Sequence, residues 1–179
     1  MILVLDNTVL INCIDRCRSV DIIQKLSGYP FDIEIVKTVR DEYLAGAQIC
    51  PERTNIDLFN AHMRDTITVI DDAKLPATYA NLLHRLDKGE LLSAVYLLEL
   101  KGDRVLCTDD KATHIVLDKE FGQKCLWTSN LLVLLHKKHP SLMSEAEVYS
   151  CHDEMIRNGF IGIPTHEIDI DFSYEILDC

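Results

Sequence analysis

The chain opens Met1-Ile2-Leu3-Val4-Leu5-Asp6, five apolar residues in a row closed by a carboxylate. A run with no polar alternation suits a strand covered on both faces, as in a parallel sheet shielded by its crossover helices. The same pattern returns at 105–110, where Val105-Leu106-Cys107 runs straight into Thr108-Asp109-Asp110. Between them, Asp32–Val36 and Thr66–Ile70 read as further strands. Apolar residues at 9, 10, 11, 13 and 14 predict a helix from Thr8 to about Cys17. Helical spacing continues over Ser19–Leu26 and stops at Gly28-Tyr29-Pro30. Lys37–Ala45 reads as a helix ending near Gly46, Pro76–Leu86 as another, and Glu90–Leu100 as a third that opens at Lys88-Gly89. Beyond the fourth strand come a helix over Lys111–Phe121, a fifth short strand at Lys124–Trp127, and a helix over Ser129–His139 before Pro140. Strands alternating with helices predict an α/β fold around a parallel sheet of four to five strands.

The chain has 179 residues, enough for one domain with a core that needs no covalent staples. Its 47% hydrophobic and 26% charged residues exclude a disordered or fibrous protein. No apolar run approaches the roughly 18 residues of a membrane helix. The N-terminus lacks the basic stretch of a secretory signal, so a cytoplasmic protein is expected. Seven cysteines without C-x-x-C spacing read as reduced thiols, mainly small core residues, and not as a zinc site. The net charge is −11, of which residues 141–179 carry −8. The reading therefore divides the chain into a sheet domain over 1–140 and an acidic helical extension over 141–179, with an amphipathic helix at Ser144–Asn158. The acidic end is expected to lie away from any nucleic-acid groove, or to cover it.

Two strands end in carboxylates, Asp6 and the pair Asp109-Asp110. In open α/β sheets ligands bind outside the carboxyl ends of the strands, where the strand order reverses. Asp6 and Asp110 meet there if the first and fourth strands are neighbours. Glu42 lies in the helix after the second strand, and Glu90 opens the helix before the fourth. Four carboxylates gathered in one place repel one another unless cations sit between them, and hard oxygen donors select Mg²⁺ or Mn²⁺. Each acid also has a plain structural reading: Asp6 or Asp109 as a helix cap, Glu90 as a partner of the helix dipole, Glu42 as a solvated surface acid.

The segments L-V-L-D-N-T-V-L-I, V-R-D-E-Y-L, L-D-K-G-E-L-L-S-A-V and V-L-C-T-D-D-K-A resemble the PIN-domain nucleases over residues 1–140. Gly159-Phe160, after the last helix, is similar to the extension of the DUF3368-type branch. The resemblance implies a three-layer α/β/α sandwich and cleavage of RNA with Mg²⁺ or Mn²⁺. Carried over by position, it implies Asp6, Glu90 and Asp110 as catalytic acids, with Glu42 and Asp109 as further metal ligands. Asn7, Thr8 and Thr108 are implied as supporting polar residues, and Lys111 as an RNA contact. Ser93 stands where many relatives have an acid; three residues from Glu90 on one helix face, it is in position to hold a water at the site. The resemblance further implies a homodimer and the toxin of a toxin–antitoxin pair, with an antitoxin protein as partner. Its alternative is a non-catalytic module that binds RNA or a protein, which Ser93 favours.

Other chemistries find less support. The histidines form no triad spacing, and both G-x-S-x-G and Gly-rich phosphate loops are absent. A dehalogenase-type phosphatase needs an acid where Thr8 stands, and a receiver domain leaves Glu90 unexplained. His136-Lys137-Lys138-His139 reads as a basic helix end more than as an RNA contact.

Overall fold

The computed structural model describes residues 1–27, 31–100 and 102–171. The expected stop at 28–30 and the last eight residues of the acidic extension lie outside them. Four strands, β1 (Ile2–Leu5), β2 (Asp32–Val36), β3 (Ile67–Ile70) and β4 (Arg104–Cys107), form one parallel sheet in the order β3-β2-β1-β4. Helices flank it in a three-layer α/β/α arrangement. They are α1 (Asn7–Ile11), α2 (Ile22–Ser27), α3 (Lys37–Ile49), α4 (Ile56–Asp65), α5 (Lys88–Glu99), α6 (Lys111–Phe121), α7 (Thr128–Lys138) and α8 (Glu145–Arg157). Leu3, Val4 and Leu5 of β1 and Val105, Leu106 and Cys107 of β4 are all buried, which accounts for the unbroken apolar runs in the sequence.

The chain steps outward from β1 through β2 to β3, then returns to place β4 on the other side of β1. The order therefore reverses between β1 and β4, and a crevice at their carboxyl ends is the expected ligand position. The register pairs Ile2 with Arg104 and Leu5 with Cys107, so Asp6 emerges beside Thr108.

Several local expectations need correction. The fifth strand shrinks to a single parallel bridge between Cys107 and Leu126, because the chain turns at once into α7 at Thr128. The first helix runs as expected to Arg16, but its second half, Asn12–Arg16, is a π turn that continues α1 without a break. Helical spacing resumes only at Ile22. Residues Ala77–His84 form a 3₁₀ segment. Helix α3 continues through Gly46, which meets no neighbour, to Ile49. Helix α4 has no counterpart among the expected elements; Asn55 caps it through Leu58 N–H, and Phe59 and His62 are its buried face.

Residues of the C-terminal extension pack into the same core as the sheet. Val148, Cys151 and Met155 of α8 are fully buried there, and α8 lies against α7 and the π turn. No helix among the described residues is long and apolar enough to cross a membrane.

Candidate active site

Strand register builds the centre of the site. Asp6 leaves β1 with its N–H bonded to Cys107 O at 3.0 Å. Its side chain is 2% exposed, and it does not act as the side-chain cap of α1. Its Oδ2 instead accepts from Thr8 Oγ1 at 3.0 Å and from Thr108 Oγ1 at 3.1 Å. Thr8 Oγ1 also reaches the opposite loop, accepting from Asp109 N–H (3.3 Å), while Thr108 Oγ1 accepts from Asp110 N–H (3.1 Å) in its own loop. Thr8 and Thr108 thus brace the two strand ends against each other. Burial raises the pKa of Asp6 above the usual carboxylate range, and the surrounding hydrogen bonds pull it partly back.

Asp110 caps α6, its Oδ1 accepting from Thr113 N–H at 2.6 Å and Thr113 Oγ1 at 2.9 Å. Glu90 and Asp87 form a capping box at the start of α5, with Glu90 Oε2 accepting from Asp87 N–H at 3.1 Å. The structural reading of Glu90 therefore holds, and it coexists with an electrostatic one. Burial pushes the Glu90 carboxyl up to about 7; the Asp87 N–H pulls it partly back, and the charges of Asp6, Asp110 and Asp87 add to the rise. Helix α3 packs on α5 and lays Glu42 across Gly89, whose N–H donates to Glu42 Oε1 at 3.1 Å. A Cβ at Gly89 would collide with the Glu42 carboxylate. Burial and then the Asp6 charge raise the pKa of Glu42 as well.

Asp6, Glu42, Glu90 and Asp110 come from four parts of the chain; Glu42 feels the charge of Asp6, and Glu90 those of Asp6 and Asp110. Among the described residues none of the four forms an ion pair with Lys, Arg or His. Asn7, next to Asp6, has a buried Oδ1 with no hydrogen-bond donor among the described residues. Unneutralised carboxylates beside an orphaned amide oxygen form a hard donor set whose chemistry suits Mg²⁺ or Mn²⁺. The side chains are not gathered into a cage: among the described residues no three His, Cys, Asp or Glu groups stand close enough to hold an ion. Lys111 stands exposed at the first position of α6, beside Asp110.

Asp109 and Ser93 stand elsewhere. Asp109 Oδ1 accepts from Thr128 N–H at 2.9 Å, and its Oδ2 from Asn12 Nδ2 at 2.7 Å and from the Thr128 hydroxyl. Both oxygens are occupied in tying the start of α7 to the π turn, a structural role in place of the expected ligand role. Ser93 is fully buried and its Oγ has no partner among the described residues.

Sequence reading missed Asn12, the fully buried link between Asp109 and Arg16, whose Nη1 donates to Asn12 Oδ1 at 2.7 Å. Its signal was a lone amide inside V-L-I-N-C-I. It also missed a cleft of about 710 Å³ that runs from Asn7 and Glu42 past Arg16, Arg18, Arg53 and Arg157.

Comparison of the chain with protein-family models, with curated proteins and with solved structures returns no match.

Proposed function

We propose that the chain is a metal-dependent nuclease that hydrolyses phosphodiester bonds of RNA at the carboxyl ends of β1 and β4. The observation that carries this reading is the state of Glu90. Its carboxyl is raised to about 7 by burial and by the charges of Asp6 and Asp110, and among the described residues none of these acids is in an ion pair. Such a cluster is costly for a fold to keep without a use, and strongly perturbed carboxylates are candidates for a functional site.

In this reading Asp6, Glu90 and Asp110 hold Mg²⁺ or Mn²⁺, with Glu42 assisting. The bound ions would supply charge stabilisation to the attacking and leaving oxygens of an in-line displacement. Thr8 and Thr108 fix the Asp6 carboxylate, the Thr113 N–H and hydroxyl fix Asp110, and the Gly89 N–H fixes Glu42. These neutral donors orient the acids without cancelling their charge. Lys111 is placed to contact a phosphate. The toxin role, an antitoxin partner, a homodimer and a cytoplasmic setting are parts of the same proposal and rest on the family resemblance.

The competing reading is a module that binds RNA without cleaving it. The open spacing of the acids and the burial of Ser93 favour it. Incubation of labelled RNA with Mn²⁺ separates the two: cleavage that EDTA abolishes supports the nuclease, and retained binding without cleavage supports the module.

A further inference from the structure

Half of the eight arginines of this acidic chain line one cleft, although they are scattered over residues 16 to 157 in the sequence. Elsewhere, Arg40, Arg85 and Arg104 pair with Asp41, Glu120 and Glu34. In the cleft, Arg16, Arg18 and Arg157 form no ion pair among the described residues, and Arg53 has only a loose contact with exposed Glu52 at 3.8 Å. We propose that this cleft is the binding track for the sugar–phosphate backbone of a single-stranded RNA, leading it to the acids at the carboxyl end of β1. The proposal names the substrate path of the nuclease and rests on that reading for the strand's destination.

The cleft is built, not incidental. The π turn ends the first helical segment at Arg16 and sends the chain into a tight loop over residues 17–21. That loop is clamped by α8: Glu154 accepts from the N–H groups of Arg18 (3.1 Å) and Ser19 (3.2 Å), and Asn158 Nδ2 donates to Arg16 O at 2.7 Å. On the other wall, Asp15 Oδ1 accepts from Tyr43 Oη and Asn55 N–H, both at 2.7 Å. Arg18 then spans the two walls, with Nε donating to Asp15 O at 2.8 Å and Nη2 to Arg53 O at 3.3 Å.

Asp15 Oδ1 is thereby occupied by neutral donors, although its charge is felt by Arg16 and Arg18. Arg18, Arg53 and Arg157 stay exposed. Planar guanidinium groups bind phosphate oxygens in pairs, which makes arginine the favoured residue for a phosphodiester chain. Asn7 and Glu42 line the cleft together with the arginines, and Glu42 feels the charge of Asp6. A strand lying along the arginines therefore arrives at the acids. The C-terminal extension serves the same cleft, since Glu154 and Asn158 hold the loop and Arg157 supplies a lining charge.

The test measures binding of a short fluorescein-labelled single-stranded RNA in EDTA, where cleavage is blocked. The variants are Arg53→Gln/Arg157→Gln, whose side chains are exposed, and Arg18→Gln. Arg64→Gln/Lys74→Gln makes the same charge change at exposed positions outside the cleft. The expected result is a loss of about tenfold or more for the first double variant. Its slope of log affinity against log salt should be shallower by roughly 0.7 for each contact removed, and the second double variant should bind as wild type. Equal binding by wild type and both cleft variants overturns the proposal. So does displacement of the RNA by polyglutamate at equal affinity, which would make the cleft a docking site for an acidic protein.

Cleavage in Mn²⁺ is scored separately. Wild-type cleavage with unaffected binding in the variants rejects the track and keeps the nuclease. Arginine-dependent binding with no cleavage keeps the track and rejects the nuclease.

Discussion

The Thr108 hydroxyl donates to Asp6 Oδ2 at 3.1 Å across the β1–β4 edge and accepts from the N–H of Asp110 at 3.1 Å. One buried hydroxyl therefore sets the spacing of two acids from two strands. Thr108→Val should lower RNA cleavage and destabilise the fold by about 1–3 kcal/mol, because a buried carboxylate and an N–H each lose a partner. Thr108→Ser should restore most of both. Thermal melts and initial cleavage rates on the three proteins check this; full activity in the valine variant would show that the brace is not needed.

The raised acids make stability depend on pH in a stated direction. Glu90 titrates at about 7 in the folded protein and near its ordinary value of 4.5 when unfolded, and Glu42 and Asp6 shift the same way. Between these values the folded state holds protons that the unfolded chain has released. The contribution is fully present below pH about 4.5 and is lost as pH rises through 7. Chemical denaturation in EDTA should show this fall. Millimolar Mn²⁺ should reverse it, raising the melting temperature more at pH 7.5 than at pH 5, since protons and the cation compete for the same oxygens. A metal-independent profile would contradict the site.

Gly89 is required by Glu42 more than by the helix. In Gly89→Ala the new Cβ meets the flexible end of Glu42, which can swing aside, so the fold should survive with a stability change within about 1 kcal/mol. Cleavage and Mn²⁺ affinity should both fall as Glu42 leaves its place above α5. Unchanged Mn²⁺ affinity would remove Glu42 from the ligand set.

Asp109 predicts the opposite split. Replacing it with Ala leaves the Asn12 amide, the Thr128 N–H and the Thr128 hydroxyl without their acceptor. The expected cost is on the order of 3 kcal/mol, or roughly 10 °C in melting temperature for a chain of this size. Asp109→Ala should still bind Mn²⁺ below its melting point. Intact stability together with lost Mn²⁺ binding would return Asp109 to the metal ligands.

The parts of this structure legible in the sequence are those set by local pattern. The apolar runs of β1 and β4, the carboxylates that end them, and the place of Glu90 at a helix start all follow from spacing alone. The meeting of Asp6 and Asp110 is conditional on β1 and β4 being neighbours, and the sheet order meets that condition. What could not be read depends on partners far along the chain. Asp109 and Asp110 are adjacent and chemically alike, yet Asn12 and Thr128 claim the first while Thr113 claims the second. Arg16 and Arg157 stand 141 positions apart in the sequence and line one cleft only because α8 docks on the π turn. The fifth strand failed for a related reason: Asp109 captures the N–H of Thr128 and starts α7 before a ladder can extend past Leu126.

The central claim is tested most directly by cleavage of random-sequence single-stranded RNA in Mn²⁺, comparing wild type with Asp6→Asn. Asparagine keeps the volume and an acceptor for Thr8 and Thr108 while removing the charge, so the variant should fold and melt at or above the wild-type temperature. The account predicts cleavage by wild type that EDTA abolishes and no cleavage by the folded variant. Equal cleavage by the two proteins, or none by wild type at any Mn²⁺ concentration, would contradict it.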